Sequence, residues 1–182
     1  MLSKQNNAVV RIAFRVGLFL LVCGFVSAQD IKTNYVPGTD FSKYKTYKWV
    51  AIEGAEKPND IVDQQIRQAV DTQMASKSLT KTDDDKADLY VGYQLSITQQ
   101  QQWNAYSSGG MRWGGGMASA TSSTIQIGTL GFDVYDTGAQ KLLWRGIATK
   151  TLNPSKDPQK NQDRLNKGVA KLLKDFPPKA GK

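Results

Sequence analysis

Acid–base, nucleophilic and metal chemistry rests mostly on histidine, cysteine and the acidic side chains, and this chain offers few of them. It has no histidine, and its only cysteine is Cys23. A Ser-His-Asp triad and a His-bearing zinc site are therefore excluded. A Cys nucleophile is excluded as well if Cys23 leaves with a cleaved leader. What survives is a carboxylate pair of the glycosidase kind or a Ser-Lys dyad. Asp88, Asp133 and Asp136 are the candidate carboxylates, although their spacing equally suits polar-face and turn residues. The run Asp83-Asp84-Asp85 lacks the alternating ligands and downstream Glu of a calcium loop and reads as a solvated turn. No catalytic residue, metal or cofactor is expected, and the chain is read as a non-enzyme.

Binding chemistry is better represented. A glutamine run, Gln99 to Gln102, leads into Trp103 and Tyr106 and then a glycine-rich stretch carrying Met111, Trp113 and Met117. Gly-rich hinges with aromatic anchors suit a partner-binding loop, because aromatics dominate interface hot spots. Residues 103–122 are accordingly expected to form a mobile loop. The same rings could seat at a membrane surface, or fold back on the sheet beneath them. The glycines are not a phosphate loop, since no Lys-Ser/Thr follows them.

Charge supplies a second candidate surface. The chain carries a net +8, unevenly spread. Residues 29–140 hold 10 Lys/Arg against 13 Asp/Glu, whereas residues 141–182 hold 11 against 3. Lys160, Arg164, Lys167, Lys171 and Lys174 fall on one face of a predicted helix, opposite an apolar stripe of Leu165, Val169, Leu172, Leu173 and Phe176. That face either contacts an anionic lipid or lipopolysaccharide or is simply a solvated basic surface. Nucleic acid is not an expected partner for an exported protein.

Export is read from the first 28 residues. Lys4, Arg11 and Arg15 precede an apolar run from Val16 to Phe25, and Val26-Ser27-Ala28 offers the small-x-small pattern of a signal-peptide cleavage site. The run is about half the ~20 residues of a transmembrane helix, so no membrane span is expected in residues 29–182. Lipidation of Cys23 is the minor alternative. These features place the protein in the periplasm or at the outer-membrane periphery.

The elements that must position these residues follow from periodicity. Tyr35 to Phe41 reads as a strand end and turn, and Tyr44 to Val50 as part of a strand over 45–51. Asp60 can cap a helix with Val62, Ile66, Ala69, Val70 and Met74 on one face, ending near Ser78. Leu89, Val91, Tyr93, Leu95 and Ile97 alternate with mostly polar residues, as in a strand with one buried face. The next strand spans about 123–135. Its apolar parity changes between Ile127 and Leu130, which predicts a β-bulge near Gly128. A turn at Asp136–Ala139 leads to a strand over 141–151. Asp157, Pro158 and Pro177-Pro178 then bracket the last helix. The expected fold is α+β: a two-layer sandwich of a mostly antiparallel four-stranded sheet with two helices on one face, in the order β-α-β-β-β-α. Residues 29–182 form one domain.

Four stretches carry a family resemblance. They are Tyr35 to Trp49, Ala87 to Val91, Gly131 to Asp136, and Leu143 to Gly146, with Phe176-Pro177 as a closing pattern. With these the chain resembles a bacterial envelope family catalogued as domain of unknown function 4136. The resemblance implies an exported α+β domain and supplies no activity. Within its fourth stretch, Arg145 could contact an anion, while Trp144 suits a core anchor and Gly146 a close helix–sheet approach. The chain is thus read as a non-catalytic envelope protein that binds or scaffolds an unknown envelope protein or anionic lipid. A carboxylate-dependent hydrolase of an envelope glycan is one alternative. A carrier holding a small apolar ligand among Tyr93, Phe132 and Trp144 is the other.

Overall fold

A computed structural model describes residues 29–106 and 119–178, with the backbone alone for 103–106 and 119–121. The chain order is β1 (Asp30–Tyr35), a 3-10 turn (Phe41–Lys43), β2 (Thr46–Trp49), α1 (Asp60–Ala75) and β3 (Thr80–Lys81), followed by β4 (Leu89–Tyr106), β5 (Ser119–Asp136), β6 (Lys141–Leu152) and α2 (Pro158–Leu172). These strands form one mixed sheet in the order β1-β6-β5-β4-β2-β3.

The α+β class is as the sequence predicts, but the sheet has six strands, not four. Two short edges account for the difference. β1 reads Asp-Ile-Lys-Thr-Asn-Tyr and is largely exposed, so it carries no apolar alternation to betray it. It pairs antiparallel with β6, from Asp30 opposite Thr149 to Tyr35 opposite Trp144. β3 is only two residues long and pairs parallel with β2. β2 also runs parallel to β4, because α1 carries the chain back to the end of the sheet where β2 began.

The helix signals hold with one shift of cap. Asn59, rather than Asp60, caps α1 by accepting the Val62 N–H at 3.0 Å. Asp60 instead places its charge in the first turn, where the helix dipole favours an acid. In α2 the Asp157 carboxylate accepts the N–H groups of Gln159 and Lys160, with Pro158 opening the helix.

Both helices cover one face of the sheet. Ile66, Val70 and Met74 of α1 and Val169 and Leu172 of α2 close over Leu89, Val91, Phe132, Val134 and Trp144. Edge-on ring contacts thread this layer: Trp49 to Phe132 at 5.9 Å, Phe132 to Trp144 at 6.2 Å, and Trp144 to Phe176 at 5.1 Å. Phe132 and Trp144 are essentially solvent-free, so the interior is filled around the residues that would line an apolar-ligand pocket. Trp144 is the core anchor its context suggests. At Gly146 an added Cβ would run into the Trp144 ring and come within 2.8 Å of Leu172 Cδ1, so the absent side chain is what lets α2 seat on β6.

The expected bulge lies elsewhere. Pairing of β4 with β5 is regular through Gly128, from Leu89 opposite Asp136 to Tyr106 opposite Ser119. The one irregularity on the other side of β5 falls between Val134 and Tyr135, where β6 carries an extra residue at Leu143. No bulge is needed near Gly128, because Ile125 and Ile127 are only partly buried and need not join the core. The parity change marks the place where the core under the sheet ends.

Candidate functional site

Three features could meet a partner: a projecting two-stranded arm, a groove on the helix-free face, and the outer face of α2.

The arm follows from unequal strand lengths. β6 stops at Leu152, opposite Gln126, whereas β4 and β5 stay paired to Tyr106 and Ser119. Seven further residue pairs project beyond the third strand, a reach of about 23 Å at ~3.3 Å per residue. Gln100 to Gln102 and Ser122 to Thr124 are exposed on it. This corrects the predicted loop, whose ends at 103–106 and 119–122 are strand backbone. A run of four glutamines has no alternation, which is why the strand continued unseen. Among the predicted binding residues, Trp103 and Tyr106 lie on β4. Met111, Trp113 and Met117 lie outside the described residues, as do Cys23 and the leader.

The helix-free face is crossed by the connector between β2 and α1. Ile52 lies so close over Gly92 that an added Cβ there would be 2.7 Å from Ile52 Cγ1. Beyond this crossing, Gly54–Glu56 and strands β4 to β6 enclose an open groove of about 460 Å³. At its inner end the Asp133 carboxylate is buried and accepts two hydrogen bonds of 2.6 Å from Arg145 Nε and Nη2. The anion that Arg145 contacts is therefore this chain's own. Gln94, Ser96, Thr129 and Glu56 complete the polar lining, so the groove suits a hydrogen-bonding ligand more than an anion.

Of the three candidate carboxylates, Asp88 and Asp136 lie near enough for the Asp136 charge to act on Asp88, but each is held by its own hydrogen-bond donors. Asp133 lies on the helix-free face with both oxygens taken by Arg145. Asp136, three residues along the same strand, accepts from Tyr44 Oη at 2.6 Å and from the Ala139 N–H at 2.8 Å. Asp88 accepts from the N–H groups of Lys45 and Thr46 at 2.7 and 2.9 Å. Hydrogen bonds from Tyr44 hold Asp136, and those from Lys45 and Thr46 hold Asp88, below the usual carboxylate range. Neither has the raised pKa of a general acid. Asp85 pairs with Lys48, and Asp84 closes its turn by accepting the Lys86 N–H.

A polar clamp between α1 and the sheet went unread in the sequence. Asp71 accepts from Tyr47 Oη at 2.8 Å, Trp49 Nε1 at 2.7 Å and Lys81 Nζ at 3.2 Å. Asp63 accepts from Tyr93 Oη and Arg67, and the Arg67 guanidinium sits 4.7 Å from the centre of the Trp49 ring. Burial, reinforced by these carboxylates, pushes the Tyr47 and Tyr93 hydroxyls far above their ordinary range. Only the spacing of Asp63, Arg67 and Asp71, four apart beside the apolar stripe, could have signalled the clamp.

On α2, Lys160, Arg164, Lys167 and Lys171 are all exposed, with Lys174 just past its end. Arg164 donates to the Asn153 carbonyl. The four lysines form no ion pair among the described residues. Among the described residues, no helix is long and apolar enough to cross a membrane.

Comparison with known proteins places the fold. A PDZ domain protein from Parabacteroides distasonis superposes with a TM-score of 0.56 at 14% identity, over 83% of this chain and 36% of that one. This chain thus spans about a third of that protein. A PelC dodecamer from Paraburkholderia phytofirmans matches at a TM-score of 0.49 and 8% identity, over 80% of this chain and 95% of that one. At 14% identity the likeness to the PDZ domain protein is one of fold. No curated protein matches in sequence. The model of the family described as Domain of unknown function (DUF4136) matches residues 31–178, spanning every element from β1 to α2, and the chain belongs to that family.

Proposed function

We propose that the protein is a non-catalytic binding module of the bacterial cell envelope, exported by the leader at residues 1–28. Its partner, an envelope protein or lipid, is met at the far end of the β4–β5 arm. Lys160, Arg164, Lys167, Lys171 and Lys174 face an anionic surface. The observation that carries this reading is the arm itself. A two-stranded ribbon is marginal in water unless something packs on it, and this one extends past β6, its third strand. Such a projection contributes little to the core, yet it carries Trp103 and Tyr106 outward.

Two further observations favour binding over the alternatives. Both Asp133 oxygens are engaged by Arg145, and hydrogen bonds lower the pKa of Asp88 and Asp136, which counts against these three carboxyl groups as the acid of a glycan hydrolase. The filled packing around Phe132 and Trp144 leaves no room for an apolar cargo there.

The test is the double variant Trp103→Ala with Trp113→Ala. It is expected to fold and be exported while losing its envelope partner in pull-down. Unchanged partners would remove the arm from the account. For the helix, the chain is expected to bind anionic liposomes and release them as salt rises. A variant with Lys167, Lys171 and Lys174 changed to Gln is expected to lose that binding, and equal binding would contradict the role of α2.

A further inference from the structure

Among the described residues, no strand pairs with the outer edge of β4 beyond Val91, an unusual length of open edge. On the side of β2, pairing with β4 ends at Val91, whose carbonyl accepts the Val50 N–H. Because β4 pairs with β5 in unbroken register, backbone groups alternate between the two sides. The N–H and C=O of Ile97, Gln99 and Gln101, in phase with Val91, therefore point to the free side. Natural edge strands are normally short, bulged, or guarded by lysine or proline. β4 has eighteen residues, none of them charged and none proline, and no bulge interrupts its pairing with β5. Ile97, on this edge, is 56% exposed.

We propose that this edge is a self-association site: residues 97–102 of β4 pair antiparallel with the same strand of a second copy, joining two sheets into one. The inference deepens the reading of the arm as a binding element by naming one of its partners. Three observations select a second copy over a foreign strand. Pairing β4 with itself sets uncharged residues opposite uncharged residues, so no like charges oppose one another. Gln99 to Gln102 would align with glutamines of the other copy, whose amides can donate and accept in turn. The strongly basic segment 141–182 builds β6 and α2, and β5 separates β6 from this edge, so the main source of net positive charge lies away from the contact. Association would also cover Ile97.

The full chain with Cys23→Ser provides the test. Sedimentation from about 1 to 100 μM is expected to show twice the chain mass. Single cysteines placed in turn at positions 97–102 are expected to form an intermolecular disulfide at the position nearest the two-fold axis, since directly paired residues lie within disulfide reach. Gln99→Pro removes an outward N–H that β5 does not use, a position where edge strands tolerate proline. It is expected to weaken the dimer at least tenfold with an unchanged circular dichroism spectrum. Should Gln99→Pro unfold the ribbon, Gln99→Lys, which opposes like charges, is expected to give the same loss. A wild-type chain monomeric throughout the range would overturn the proposal. So would a dimer indifferent to Gln99→Pro and Gln99→Lys, the lack of an intermolecular disulfide at every one of positions 97–102, or capture of a foreign strand by a monomer. A monomer that still retains its envelope partner through Trp103 and Trp113 would refute the dimer and leave the binding role standing.

Discussion

Replacing Arg145 should cost more than replacing Asp133, although the two residues share one ion pair. The Asp133 side chain is 3% exposed and that of Arg145 45%, and they are joined by two bonds of 2.6 Å. Removing one partner of a buried pair costs about 3–5 kcal/mol, because the charge left behind is stranded. An exposed pair is worth about 0–1 kcal/mol. In Arg145→Ala the stranded group is the buried carboxylate, whose remaining partner is Tyr135 Oη at 3.4 Å. The groove admits some water, so the low end applies, about 3 kcal/mol. In Asp133→Ala the stranded group is a half-exposed guanidinium that can turn into solvent, and the cost is about 1 kcal/mol. The double variant strands nothing and should be more stable than Arg145→Ala alone. Urea unfolding followed by tryptophan fluorescence measures all three. For a domain of this size the larger loss corresponds to a fall in Tm of about 6–12 °C. Asp133→Ala costing more than Arg145→Ala, or a double variant weaker than Arg145→Ala, would refute the reasoning.

Part of the acid sensitivity should trace to the end of the sheet near the β5–β6 turn. Hydrogen bonds from Tyr44 lower the pKa of Asp136, and those from Lys45 and Thr46 lower that of Asp88. Their contribution is fully present above the ordinary Asp value of about 3.9 and is lost as pH falls through the lower folded values. Stability measured from pH 6 to pH 2 should therefore drop below about pH 4, and Asp88→Asn with Asp136→Asn should flatten that drop. In alkali the sign reverses for Tyr44, Tyr47 and Tyr93, whose folded pKa values lie above the ordinary one. Their contribution holds below about pH 10 and is lost above it, and the 295 nm titration should show them ionising only as the chain unfolds. Gly146→Ala should cost about 1–3 kcal/mol through overpacking against Trp144 and Leu172, and thermal melts of unchanged midpoint would count against the close seating of α2.

The sequence made visible those elements whose burial alternates. Leu89 to Leu95 announced β4, and the paired caps and stops announced α2, because each has a core on one side and water on the other. What went unread lies where that contrast fails. β1 and β3 are edges with little buried surface, so nothing in their residue pattern separates them from loops. β4 beyond Ile97 is exposed at every described side chain, and its glutamine run has no alternation to mark a strand. A parity change implies a bulge only where the strand is buried on both sides of it, and Ile125 and Ile127 lie outside the core. The Asp133–Arg145 pair depends on the register of β5 against β6, which no local pattern encodes.

The central claim, that the arm carries the partner-binding end of the molecule, is tested most directly by photo-crosslinking in the native envelope. A photoreactive amino acid replaces Trp113, and adducts are identified by mass spectrometry. The account predicts one discrete adduct with an envelope protein or lipid, lost when Trp103 is also changed to Ala. A folded, exported protein that yields no adduct there would contradict it.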